Sequence, residues 1–144
     1  MSSGSTHVFS ELYYHVTWHC HGDKPLLQGE MAAALRQNLQ TTCAKIKGVH
    51  LKAVGGTETH VHLVFQAEPF VLLSELVQKL KGGSARAMNL EFGHEALQWQ
   101  RGYGAVSFAK AHLNGLVKYV ENQEEHHRTE TIREVLERYR GEEG

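Results

Sequence analysis

The order of hydrophobic periods along the chain predicts an α+β fold, a ferredoxin-like antiparallel sheet with helices packed on one face. Three observations carry that expectation. Periodic segments follow one another as strand, helix, strand, strand, helix, strand, helix. The length of 144 residues, 41% hydrophobic and 22% charged, suits one ordinary globular domain and argues against disorder or a fibrous repeat. No internal repeat or low-complexity tract divides the chain, so residues 11–144 read as a single domain behind a polar start, residues 1–10, that is expected to be flexible.

Residues 11–20 (ELYYHVTWHC) alternate after Leu12, with Tyr14, Val16, Trp18 and Cys20 on one side and His15, Thr17 and His19 on the other. This is the pattern of a half-buried strand. Gly22-Asp23-Lys24-Pro25 breaks it, and Met31, Leu35, Leu39, Cys43 and Ile46 then mark one stripe of a helix that Gly48 can stop. The stretch VHLKAVGGTETHVHLVFQA predicts two strands meeting as a hairpin near Gly55-Gly56. After Pro69, Leu72, Leu73, Leu76, Val77 and Leu80 have helical spacing up to about Leu90, with Gly82-Gly83 expected to interrupt the helix. Residues 91–101 look irregular and 103–108 (YGAVSF) read as a short strand. Residues 110–126 read as a helix with Leu113, Leu116, Val117 and Val120 on its apolar stripe, and a charged helix is expected from Thr131 to about Tyr139.

Composition excludes several classes of function. No run of apolar residues is long enough to span a membrane and the start lacks a signal-peptide plan, so a cytoplasmic address is expected. Two cysteines, Cys20 and Cys43, do not make a disulfide framework. Net charge is −1, but residues 76–118 carry six Lys or Arg against two Asp or Glu, while residues 119–144 carry four against eight. A basic middle is therefore flanked by an acidic end. Eleven histidines are the unusual feature of the composition, pointing to metal binding or acid–base chemistry.

Pattern locates that chemistry. In HVHLVFQ, strand alternation projects His60 and His62 together on an open face while Val61, Leu63 and Phe65 face the core. By itself the motif more often marks a pair of surface or hydrogen-bonded histidines, and His19-Cys20-His21 is a second example. On the helix after residue 110, Tyr119 and Gln123 are neighbours at i and i+4, and Tyr119 lies roughly 110° from the centre of the apolar stripe, flanking the core. Its hydroxyl could reach a polar site or end in water. Lys79, Lys81, Ser84 and Arg86 gather around Gly82-Gly83 in a cluster that suits phosphate, although the spacing is not that of a P-loop and a solvated helix would look the same. Trp99 and Tyr103, beside Arg101, have the chemistry to stack bases or to fill core.

Together these residues resemble the single-tyrosine HUH transposases of the simplest bacterial insertion sequences and their REP-associated relatives. The landmarks run in the family's order over nearly the whole chain: YHVTW, HVHLVF, LKGGSAR followed by Asn89, WQRGYGAVS, and KYVENQEEHH. The resemblance implies the ferredoxin-like fold, a divalent metal, Mg²⁺ or Mn²⁺, on His60, His62 and Gln123, and Tyr119 as the nucleophile that forms a 5′-phosphotyrosine. It further implies a homodimer, a substrate of single-stranded DNA with hairpins, a nucleoid-associated location, and DNA contacts from Lys79, Lys81, Ser84, Arg86, Arg101 and Tyr103. The chain departs from the family at three places: Thr59 stands where an acidic or amide residue is common, Cys20-His21-Gly22-Asp23 replaces a basic patch, and Ala85 replaces a serine. Two alternatives stay open at this point, a catalytically silent or domesticated hairpin-binding protein, and a hydrolase using His60 and His62 with His19 or His21.

Overall fold

The computed structural model describes residues 7–122. Gln123, the closing helix expected at 131–139, the end of the helix expected to reach 126 and the first six residues lie outside that range. Strand β1 (Tyr13–His19) leads through a 3-10 turn (His21–Asp23) to helix α1 (Gly29–Lys45), followed by β2 (Val49–Gly56), β3 (His60–Ala67), α2 (Leu73–Phe92), β4 (Gly104–Phe108), a second 3-10 turn (Lys110–His112) and α3 (Leu113–Glu121). The four strands form one sheet in the order β2-β3-β1-β4, and every neighbouring pair is antiparallel. This is the expected α+β, ferredoxin-like sheet, with the correction that helices pack on both of its faces rather than on one. Among the described residues no helix is long and apolar enough to cross a membrane.

Helices α1 and α2 cover one face. Val16, Trp18, Val61, Leu63 and Phe65 from the two central strands pack there with Leu35, Leu39 and Cys43 of α1 and Leu76, Val77, Leu80 and Met88 of α2, all buried. Leu39, Leu63 and Trp18 are fully inaccessible, and burying an aliphatic side chain of this size contributes roughly 1.5–3 kcal/mol. Gly48 ends the α1 connection at φ +84°, where a Cβ would also meet the Phe70 ring. Helix α3 crosses the opposite face, where Leu116, Tyr119 and Val120 form a smaller core with Ala53 and Val64. The sheet is therefore buried on both sides, and the polar side of β1, expected to be solvated, is inside: His15, Thr17 and His19 are at most 3% exposed.

One local expectation is corrected, and one irregularity is added that the sequence pattern did not show. Helix α2 runs unbroken through Gly82-Gly83, because its apolar stripe is anchored on both sides of them and tertiary packing outweighs the weak helix propensity of glycine. Strand β2 contains an irregularity between Leu51 and Ala53. The extra residue, Lys52, reverses the alternation, so that Val54 joins the main core while Ala53 faces α3.

Residues 97–100 are fastened beneath α2. The Lys81 ammonium donates to the carbonyls of Gln100 and Gly102 at 2.7 and 2.8 Å. The Asn89 amide both donates to and accepts from the Leu97 backbone, at 3.1 and 2.7 Å. Trp99 Nε1–H donates to Ser84 Oγ at 3.0 Å.

Two predictions follow from this packing. Burial pushes the Cys20 and Cys43 thiols up to about 11 from 9.0, so neither is a thiolate at neutral pH; iodoacetamide labelling at pH 8 should be at least about 100-fold slower in the folded protein than in denaturant. A Cβ at Gly82 meets nothing within 4 Å, so Gly82→Ala is expected to raise stability by about 0.5–1 kcal/mol in chemical denaturation, through helix propensity alone.

Candidate active site

The register of the two central strands assembles the site. Thr17 pairs with His62 and His19 with His60, which brings three polar residues of β1 and the His60/His62 pair of β3 onto one face. His19 stacks on His60 with ring centroids 4.5 Å apart, His15 on His62 at 5.0 Å, and the His60 and His62 rings meet edge to face at 4.9 Å. His60 and His62 are buried, at 1% and 0% exposure, rather than lying on an open surface. The sequence pattern showed which way they point, but not that the second face of the sheet is also covered.

Buried imidazoles require hydrogen-bond partners, and the Nδ1 side of His19, His60 and His62 is held. His60 Nδ1 lies 2.9 Å from the Thr59 hydroxyl and 3.1 Å from that of Thr57. His62 Nδ1 lies 2.9 Å from Thr17 Oγ1 and 2.8 Å from His15 Nε2. Thr59, the departure noted in the sequence, thus supplies with a hydroxyl the orienting contact that a carboxylate or amide could make. His19 Nδ1–H donates to Asp23 Oδ1 at 2.9 Å, so the turn that lacks a basic patch has a role in fixing the site. Burial pushes the His15 imidazole down to about 4, so it is neutral at physiological pH.

His15, Thr17, Thr57 and Asp23 were not picked out as site residues. The available signal was the alternation His15-x-Thr17-x-His19 opposite His60-x-His62, which becomes informative only once the two strands are known to pair. Among the described residues no three His, Cys, Asp or Glu side chains form a group that could hold a metal, and His21 is exposed.

Tyr119 is 4% exposed and belongs to the small core between α3 and the sheet. The expectation that it merely flanks the core is corrected, because the sheet face that it meets is packed too. Val64, which it joins there, is two residues along β3 from His62 and so projects from the same face. Tyrosine helix and histidine pair thus share one side of the sheet. The seat of that helix is Gly55, which pairs with His62 across β2 and β3; a Cβ at this position would overlap the Val120 carbonyl. Gln123, two residues past α3, lies outside the described residues.

The residues expected on DNA divide into two groups. Lys79, Arg86 and Arg101 are exposed, and Lys79 and Arg86, two turns apart, lie on one side of α2. Ser84 does not fit that role: it is 1% exposed, donates to the Lys81 carbonyl and accepts from Trp99. Lys81 is engaged with two loop carbonyls, and Tyr103 is half-buried against the main core. These three serve the packing of the loop, because the segment they touch crosses α2 at a point that the sequence could not locate.

Fold and site together define a ferredoxin-like sheet whose buried histidines share one face with a tyrosine-bearing helix. The family model for IS200-like transposases matches residues 8–123, and the chain belongs to that family. It is 29% identical over 129 residues to the ISDra2 transposase TnpA of Deinococcus radiodurans, covering 85% of this chain and 91% of that protein. A crystal structure of a transposase-type protein from Deinococcus radiodurans R1 superposes with a TM-score of 0.65 at 27% identity, over 86% of this chain and 98% of that one. A REP-associated tyrosine transposase bound to a REP hairpin has the same fold, with a TM-score of 0.59 at 14% identity over 83% of this chain and 70% of that one.

The seating of the tyrosine helix can be tested directly. Gly55→Ala is expected to destabilise the protein by about 1–3 kcal/mol in urea unfolding, since a backbone carbonyl on a helix cannot swing aside as a side chain would. An unchanged midpoint would show that α3 does not rest on β2 in solution.

Proposed function

We propose that this transposase cleaves and rejoins single-stranded DNA at hairpin-flanked ends through a 5′-phosphotyrosine on Tyr119, in the manner of an HUH endonuclease. The observation that carries the reading is the shared sheet face: α3, with Tyr119, lies over the same side as His60 and His62. The hairpin substrate is supported by the REP-associated transposase of the same fold, which is bound to one.

The donor set suits a divalent cation. With Nδ1 of both rings occupied by Thr17, His15, Thr57 and Thr59, His60 and His62 would each coordinate through Nε2, and such outer hydrogen bonds fix ring orientation. Gln123 is the third ligand implied by the resemblance. Bound there, Mg²⁺ or Mn²⁺ would offset charge on the scissile phosphate.

The chain's own residues do the rest. The Tyr119 oxygen loses its proton and attacks phosphorus; a new tyrosyl O–P bond forms as the bond to the 3′ oxygen breaks, and that oxygen leaves as a hydroxyl after taking up a proton. The ester energy is kept, so the same step run backwards joins strands. Because Tyr119 is buried against its own sheet, the C-terminal end of α3 must move for a phosphate to reach its hydroxyl, which suits a homodimer in which the tyrosine helix of one protomer completes the site of the other. Lys79, Arg86 and Arg101, exposed in the basic middle of the chain, are the cations best placed to hold the phosphate backbone, and an affinity carried by so few of them should fall with salt.

The test is incubation with labelled single-stranded hairpin DNA from the flanks of its own gene, with and without Mg²⁺ or Mn²⁺, followed by denaturing electrophoresis. A covalent protein–DNA adduct that requires metal and drops at least about 1,000-fold in Tyr119→Phe is expected. DNA cut without an adduct, or an adduct that survives in Tyr119→Phe, would overturn the mechanism; binding without either product would leave a silent hairpin-binding protein.

A further inference from the structure

Beside the histidine pair, between β4 and the N-terminal half of α3, a cavity of about 280 Å³ opens to the surface. Its lining is Val106, Phe108, Ala111, Gly115 and Leu116 with two imidazoles, His15 and His112. The size lies at the lower limit of small-ligand pockets, which run from roughly 300 to 1,000 Å³. No Lys or Arg lines it, so its chemistry does not suit a phosphate. An apolar slot with an aromatic wall and one polar edge suits a flat heteroaromatic ring.

His15 supplies the polar edge. Its side chain is 2% exposed, and Nδ1 is buried with no hydrogen-bond partner among the described residues. A group in that state is costly unless something meets it. On its other side, His15 Nε2 is 2.8 Å from His62 Nδ1, so the cavity is one imidazole removed from the residue that would hold the metal. In the tautomer in which His62 Nδ1–H donates to His15 Nε2, the neutral His15 ring carries its proton on Nδ1, the buried nitrogen that an acceptor would satisfy.

We propose that this pocket receives one unstacked nucleobase of the substrate strand, next to the scissile phosphate. The base lies against Phe108 and accepts a hydrogen bond from His15 Nδ1–H. Every base carries ring nitrogens or carbonyl oxygens able to accept, so the subsite reads the presence of a base and the register of the strand rather than one letter. The proposal rests on the function given above, because that function brings a single strand across His60 and His62.

The test uses the full chain and fluorescently labelled hairpin oligonucleotides from the flanks of its gene, each with one abasic position stepped through the single-stranded flank. Affinity is read by anisotropy in metal-free buffer, so that cutting does not interfere. One abasic position is expected to weaken binding to the unaltered protein about tenfold, the usual effect of losing one stacked base. Gly115→Leu fills the pocket from α3, where a Cβ meets nothing within 4 Å and any non-glycine residue favours the helix. This variant is expected to melt no lower than the unaltered protein, to bind intact DNA about tenfold more weakly and to show no further loss with the abasic strand.

A flat abasic scan, or a Gly115→Leu protein that keeps full abasic sensitivity, overturns the pocket. If the covalent adduct still forms on intact DNA in that case, the transposase mechanism stands without it. An abasic effect abolished by Gly115→Leu with no adduct under any metal would keep the pocket and sink the mechanism, and failure to bind any of the oligonucleotides would remove both.

Discussion

The antiparallel pairing of β1 with β3 is the constraint on which the rest of the structure depends. These are the two central strands, and both are buried on both faces. One face is apolar and holds α1 and α2. The other contains His15, Thr17, His19, His60 and His62, and a buried polar group without a partner is expensive. The register solves that problem internally, setting Thr17 opposite His62 and His19 opposite His60. A slip of β1 by one residue against β3 would turn His15, Thr17 and His19 into the hydrophobic core and carry Val16 and Trp18 to the histidine face. Stability and site geometry are thus specified by the same register.

Short turns complete what the register begins. Thr57 and Thr59, in the connection between β2 and β3, hold His60, and Asp23, in the turn after β1, holds His19. The hairpin therefore orients a ligand-type ring as well as joining two strands. A residue that departs from the family pattern, Thr59, keeps the contact through a different functional group.

Helix α3 owes its position to two features of β2. The irregularity at Lys52 turns Ala53 towards the histidine face, and Gly55 lets the helix backbone descend onto the strand beside His62. On the other side of the sheet, Lys81, Ser84 and Asn89 are spent on the loop that carries Trp99, which leaves Lys79, Arg86 and Arg101 facing outwards. A cluster of cations and hydroxyls in sequence is thereby separated into an internal and an external set.

Elements and their faces were legible in the sequence because periods of two and 3.6 residues are local: the alternation in YHVTWH and HVHLVF, and the stripes from Met31 to Cys43 and Leu113 to Val120, name the strands and helices without reference to anything distant. The sequence by itself also determined that His60 and His62 project together, and the order of elements determined the sheet topology. What only the tertiary structure decided is non-local. Whether the histidine face is open or covered, which hydroxyl holds which ring, where Ser84 and Lys81 point, and how β2 changes face at Lys52 all depend on contacts between residues far apart in the chain. His15 and His62 are 47 residues apart and meet at 2.8 Å. No local pattern encodes such a pairing, since each strand's alternation is satisfied by any partner of the right period and only the packed sheet selects one.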